Sequence, residues 1–191
     1  MRRPRSPLLV PLLLVASTVA LAGWTLRTGT DEREPIDVSA TGPRFATLEE
    51  LAGAADAIVA GTVVAVDAGR TITDPSDPRA GITTRLIEVA VTATFAGPAR
   101  DLIVIEEEAA LLDGTSIVVN GLEPAPPGTS AVWFLVAGDG EQFPYAALVN
   151  EQARIPLTAD RVAEPGLVAA GIGLDELRAR LRSTVHADGT G

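Results

Sequence analysis

From Thr84 to Phe95 apolar and polar side chains alternate, with Ile87, Val89, Val91, Ala93 and Phe95 on one face and Leu86, Glu88, Ala90, Thr92 and Thr94 on the other. A two-residue period of this length specifies a half-exposed antiparallel strand and gives a helix no continuous apolar face. The rest of the chain must therefore supply partner strands. Ala57–Val66 is apolar on both faces and β-branched, as a strand covered on both sides would be, and Gly61 at its centre marks a bulge or bend. Leu102–Ile105, Thr115–Val119, Ala131–Ala137, Tyr145–Val149 and Arg154–Thr158 read as further strands, the last two joined by a hairpin through Asn150-Glu151-Gln152. Gly69–Gly81 and Asn120–Gly128 are rich in turn formers and read as loops, the second stiffened by Pro124, Pro126 and Pro127.

Two helices frame these strands. Thr47-Leu48-Glu49-Glu50 is a capping box opening a short helix to about Ala55, with Leu48, Leu51, Ala52 and Ala55 on one face. Near the other end Leu174, Leu177 and Leu181 form a stripe. Asp175 and Glu176 occupy its first turn and Arg178, Arg180 and Arg182 its later turns, a charge order that suits the helix dipole. No internal repeat and no second core is evident, so one domain is expected over residues 45–185, followed by a tail at 186–191.

The run LEELAGAADAIVAGTVVAV, then RLIEVAVTATFAG, DLIVI and PGTSAVWFLVAG, resembles secreted bacterial β-barrel proteins of OB-like design. The order is also similar to that of netrin-type modules, including tissue inhibitors of metalloproteinases. The resemblance covers Leu48–Ala137 and implies a mainly β fold, a small OB-like barrel or sandwich of six to seven strands. Protease inhibition in that family depends on an N-terminal cysteine that chelates the target's zinc. This chain has no cysteine, so the fold is carried over and the activity is not.

The same lack of cysteine removes disulfides, thiolate metal sites, lipid attachment at a lipobox and thiol nucleophiles. The one histidine, His186, is expected in a mobile tail, where neither a Ser-His-Asp triad nor a zinc site could use it. All 15 basic residues are arginine, consistent with the coding bias of a GC-rich genome, against 25 acidic residues. A net charge of −10 repels phosphate backbones, so nucleic acid is not an expected partner.

Arg2, Arg3 and Arg5 precede an uncharged run, Ser6–Leu26, that reads as a signal peptide or N-terminal membrane anchor over residues 1–26. Ala20-Leu21-Ala22 offers a cleavage site after Ala22, whereas an uncut segment 6–26 would hold the chain in the cytoplasmic membrane with Trp24 at the interface. The arginines keep the N-terminus inside and place everything after Leu26 outside. Residues 27–44 carry no apolar periodicity and read as a flexible stalk.

Candidate chemistry rests on carboxylates: Asp74 with Asp77, Glu106–Glu108 at a strand end, and Asp139 with Glu141. None has the spacing of a calcium loop, and each is expected to be solvated charge, with Glu106–Glu108 guarding a sheet edge. Trp133 and Phe134 point to opposite faces of one strand, so only one lines the core unless both faces are covered. Gly171-Ile172-Gly173 lacks the further glycine and the preceding strand of a phosphate loop. No catalytic, cofactor or metal residue is assigned. The expected function is a non-catalytic extracytoplasmic binding domain whose partner is an envelope protein or polymer, recognised through the two loops. The alternative is a carboxylate-dependent hydrolase acting on cell-envelope polymer.

Overall fold

The computed structural model describes residues 34–39, 42–138, 145–163 and 166–187. The expected leader with its expected cleavage site, half of the expected stalk, Asp139 with Glu141, and residues 188–191 lie outside the described residues. Among the described residues no helix is long and apolar enough to cross a membrane.

The protein is mainly β. Its strands are β1 (Ile36–Val38), β2 (Ala57–Asp74), β3 (Asp77–Ala96), β4 (Leu102–Leu111), β5 (Ile117–Val119), β6 (Ser130–Val136), β7 (Ala147–Leu148), β8 (Arg154–Thr158) and β9 (Arg161–Val162). The helices are α1 (Leu48–Gly53) and α2 (Leu174–Ala187). The main sheet runs β4-β3-β2-β6-β8-β9, and β7 also pairs with β6. This sheet curls until its ends meet. Ala146, next to β7, forms a parallel bridge with Ile105 of β4: the Glu106 amide donates to the Ala146 carbonyl at 2.8 Å, and the Ala146 amide to the Val104 carbonyl at 3.1 Å. The strands β2, β3, β4, β7 and β6 thus form a barrel-like arrangement, its two ends joined by a short parallel contact.

Alternation along the strands sends side chains into two cores. Val59, Val63, Ile87, Val89, Ile103, Ile105, Ala131, Trp133 and Leu135 fill the barrel. Ile58, Ala60, Val132 and Phe134 face outward, where α1, α2, β8 and β9 cover them with Leu51, Leu177, Leu181, Ile155 and Val162. Trp133 and Phe134 are therefore both fully buried, because both faces of β6 are covered. Burying aromatic rings on either side of one strand also fixes that strand's register, since a slip of one residue would exchange the two cores.

The local signals act as the sequence indicates. The Thr47 hydroxyl accepts the Glu50 amide at 3.1 Å, and the Glu50 carboxylate accepts the Ala46 amide at 2.8 Å, which starts α1. At Gly61 the register of β2 against β3 shifts, and a Cβ there would lie 2.6 Å from the Ala90 carbonyl oxygen, so only glycine fits this approach.

Four expectations are corrected. Gly69–Gly81 is not a loop. The two longest strands run through it as an extended hairpin arm and turn only at Pro75-Ser76. Thr71-Ile72-Thr73 keeps β geometry, while the prolines sit at the turn and in a register shift where no ladder amide is needed. The stretch through Asn150-Glu151-Gln152 is not a hairpin: β7 and β8 both pair antiparallel with β6, interrupted by a 3₁₀ turn at Glu151–Ala153. The presumed stalk contains β1, which pairs parallel with β5 and donates its Ile36 amide to the Ser116 carbonyl at 2.9 Å. Finally α2 reaches Ala187, so His186 stands in its last turn rather than in a tail.

Candidate functional site

On the outer edge of β4 two neighbours diverge. Ala146 bridges Ile105 on one side, and Ser116 bridges Ala110 on the other. Between them no described strand lies along the edge of β4 at Glu107–Glu108, and a cleft of about 300 Å³ opens there. Its apolar wall is Ile117, Val119, Leu122 and Leu148, and Arg85, Glu108, Asn120 and Asn150 supply polar groups. An apolar wall with a few placed polar groups suits capture of a ligand.

Beneath the cleft lies a charged layer that ends the barrel core. Arg85 and Glu107 are directly opposed across β3 and β4, one step beyond the inward-facing pair Ile87 and Ile105, so the same alternation turns both into the barrel's end. Arg85 Nε and Nη2 donate to Glu107 Oε2 at 3.2 and 3.1 Å. Arg154, paired with Trp133 across β8 and β6, reaches the same carboxylate from the other side, its Nη1 standing 4.0 Å from Glu107 Oε1. The Arg154 side chain is 10% exposed and that of Glu107 11%. The guanidinium also lies 5.9 Å from the Trp133 ring centroid, and its Nη2 donates to the Glu123 carbonyl. Burial pushes Arg154 below the ordinary arginine value, and the Glu107 charge opposes that shift. Glu107 Oε1 and Arg154 Nη1 are buried and form no hydrogen bond, so each faces the other across a gap too long for direct donation.

A second pairing stands beside it. Arg70 Nε and Nη2 hold both oxygens of Glu106 at 2.9 Å, and the Thr84 hydroxyl donates to Glu106 Oε1 at 2.8 Å. Arg70 is brought there by a bulge in β2 at Gly69, where a Cβ would collide with the Thr84 hydroxyl. Thus Glu106 and Glu107 are not strand-end charges in water. They lie within β4 and are largely buried by arginines from three other strands. Glu108 is exposed and has no ion pair among the described residues.

The remaining sequence candidates do other work. Asp74 and Asp77 stand at the tip of the β2–β3 arm as turn residues. Asp74 Oδ1 accepts the Ser76 hydroxyl at 2.6 Å and the Ser76 amide at 2.7 Å, which together hold its carboxyl below the usual aspartate value. Asp77 accepts the Arg79 amide at 3.0 Å. Asn120–Gly128 is a loop, but Ala125 is buried in the barrel core, so the segment plugs the barrel's end and presents Asn120 and Leu122 to the cleft. Gly171-Ile172-Gly173 forms the turn into α2, with Ile172 buried in the outer core. A further hollow of about 400 Å³ involves Asp56, Arg100 and Tyr145, where the Asp56 carboxylate already accepts the Ala137 amide at 2.8 Å. It lacks the convergence of buried charge found beside β4.

These features define a mainly β domain built on a barrel-like sheet, with a charged plug and an adjoining cleft. No protein-family model and no curated protein sequence matches the chain.

Proposed function

We propose that this protein is a non-catalytic binding domain acting outside the cytoplasm, held at the membrane by residues 6–26 or released after Ala22. Its partner is an envelope protein or polymer. The observation that carries the reading is the cleft beside β4, where an apolar wall adjoins one exposed carboxylate, Glu108, with no ion pair among the described residues. Such a site favours an elongated ligand that lays an apolar stretch on Leu122 and Leu148 and directs a hydrogen-bond donor or cation to Glu108. Recognition through the loop Asn120–Gly128 fits this reading, because that loop brings Leu122 and Asn120 to the cleft while its buried Ala125 anchors it. A rigid loop loses less entropy on binding.

The geometry lends less to the hydrolase alternative. A hydrolytic pair needs one carboxyl free to hold a proton and another free to attack or activate water. Glu106 is gripped at both oxygens by Arg70, and Glu107 stands between Arg85 and Arg154. The test is photo-crosslinking from position 120 of the full chain in its native envelope, in the wild type and in Leu122→Asp and Glu108→Gln variants that retain the wild-type melting temperature. A discrete product lost in Leu122→Asp and weakened in Glu108→Gln supports the site. Undiminished crosslinking in both variants refutes it.

A further inference from the structure

β2 pairs with β6 only from Ala57 to Thr62. The Val63 amide and carbonyl then bond Thr129 and Gly128, and from Val64 to Asp74 no described strand lies along the outer side of β2. Along this edge Val64 is 51% exposed, Ile72 40% and Val66 38%. Neither lysine nor proline interrupts Val64–Thr73. A long edge with exposed β-branched residues and neither lysine nor proline is a template for another strand.

We propose that the occupant is a second copy of this chain, the two β2 strands pairing antiparallel across a two-fold axis that passes between Ala68 and Gly69. The sequence is self-complementary in this register. Asp67 comes opposite Arg70 of the second copy, and Arg70 opposite its Asp67, so the axis creates two charge pairs. The faces match as well, and the bulge is the reason. Asp67 stands opposite Leu86 and Ile72 opposite Ile82, while Val66 stands opposite Ile87 and Thr71 opposite Thr83. The register shift between Ala68 and Thr71 therefore leaves Asp67 and Ile72 on one face and Val66 and Thr71 on the other. Arg70 reaches Glu106, which is paired with Leu86, so it shares the face of Asp67 and keeps that contact in the dimer. Across the axis Asp67 then meets Arg70, Val66 meets Thr71 and Ala65 meets Ile72, each pair on one common face. Without the extra residue Asp67 and Arg70 would lie on opposite faces and the register would fail. The isologous pairing closes as a dimer rather than growing into a filament. Its area is on the order of 1,000 Å², the low end for a specific interface, so the dimer exchanges readily.

The chain contains no cysteine, which makes a single introduced thiol an unambiguous probe. In the full chain, kept in its membrane or in detergent micelles, Ala68→Cys sits next to the axis, within disulfide reach of its symmetry mate. Asp175→Cys, on the exposed first turn of α2, serves as the control. Under mild oxidation Ala68→Cys is expected to give a covalent homodimer at about tenfold the yield of the control, and Val66→Lys in the same chain to lower that yield about tenfold by placing charge on the edge. Circular dichroism of each variant confirms the fold. Equal yields from both thiols, no dimer, a crosslink only to a different protein, or a yield unmoved by Val66→Lys would each overturn the proposal.

Discussion

Replacing Glu107 by alanine removes the one anion between Arg85 and Arg154. The two guanidiniums then remain at the barrel's end with side chains 16 and 10% exposed and no carboxylate between them. Losing one partner of a buried ion pair costs about 3–5 kcal/mol, because the surviving charge is left desolvated. Here the deletion strands two cations, while the Glu123 carbonyl and the Trp133 ring still serve Arg154. The expected loss is therefore about 4 kcal/mol, within that range. For a domain of this size each kcal/mol moves the melting temperature by roughly 2–4 °C, so Glu107→Ala should melt about 8–16 °C below the wild type. Thermal and urea unfolding of the full chain in micelles, followed by circular dichroism, measures it. The triple replacement Arg85→Met, Glu107→Leu and Arg154→Met removes all three charges together and should recover most of the loss, since an apolar layer of similar volume needs no ion pairing. A loss below about 1 kcal/mol for Glu107→Ala would mean the layer behaves as a solvated surface pair, and the reasoning would fail.

Three further outcomes are expected. Trp133→Ala and Phe134→Ala should each cost about 3–5 kcal/mol in urea unfolding, since each ring fills a different core and neither face of β6 is free to collapse. Thr47→Ala should cost about 1 kcal/mol through the lost cap of α1, with Thr47→Ser close to the wild type. At the arm tip, Asp74 should titrate below the ordinary aspartate value in carboxyl NMR, and Ser76→Ala should raise it towards that value. Because the folded value is the depressed one, the turn's contribution is present above the unfolded value of 3.8 and is lost as pH falls through the folded value.

Much of the β framework is legible because it rests on local pattern. The alternation at Thr84–Phe95 lies within β3, the apolar run at Ala57–Val66 within β2, and the capping box at Thr47 starts α1. The Gly61 bulge is legible for the same reason. The arm at Gly69–Gly81 is not, because turn-forming residues dominate its composition while pairing with the opposite strand decides its conformation. The burial of both Trp133 and Phe134 depends on α1, α2, β8 and β9 covering the outer face of the ring, which no residue of β6 encodes.

The charged layer shows the same limit from the side of chemistry. Three consecutive glutamates read as solvent-facing charge, and the exposed Glu108 fits that reading. Glu106 and Glu107 depart from it because Arg70, Arg85 and Arg154, distant in sequence, converge on them through barrel closure and the bulge in β2. That convergence also explains why the cleft lies where it does. A parallel seam between β4 and β7 ends at Ala146, because the chain beyond β7 must turn through Asn150 to continue along β6 as β8. β5 meanwhile returns along β4 only near Ala110. No described strand covers the sheet edge between these two contacts, and its backbone would be a liability beside an empty barrel end. Arginine and glutamate side chains fill that end, and Ala125 of the plugging loop is buried in the inner core, so the opening remains a shallow cleft and does not become a channel into the core.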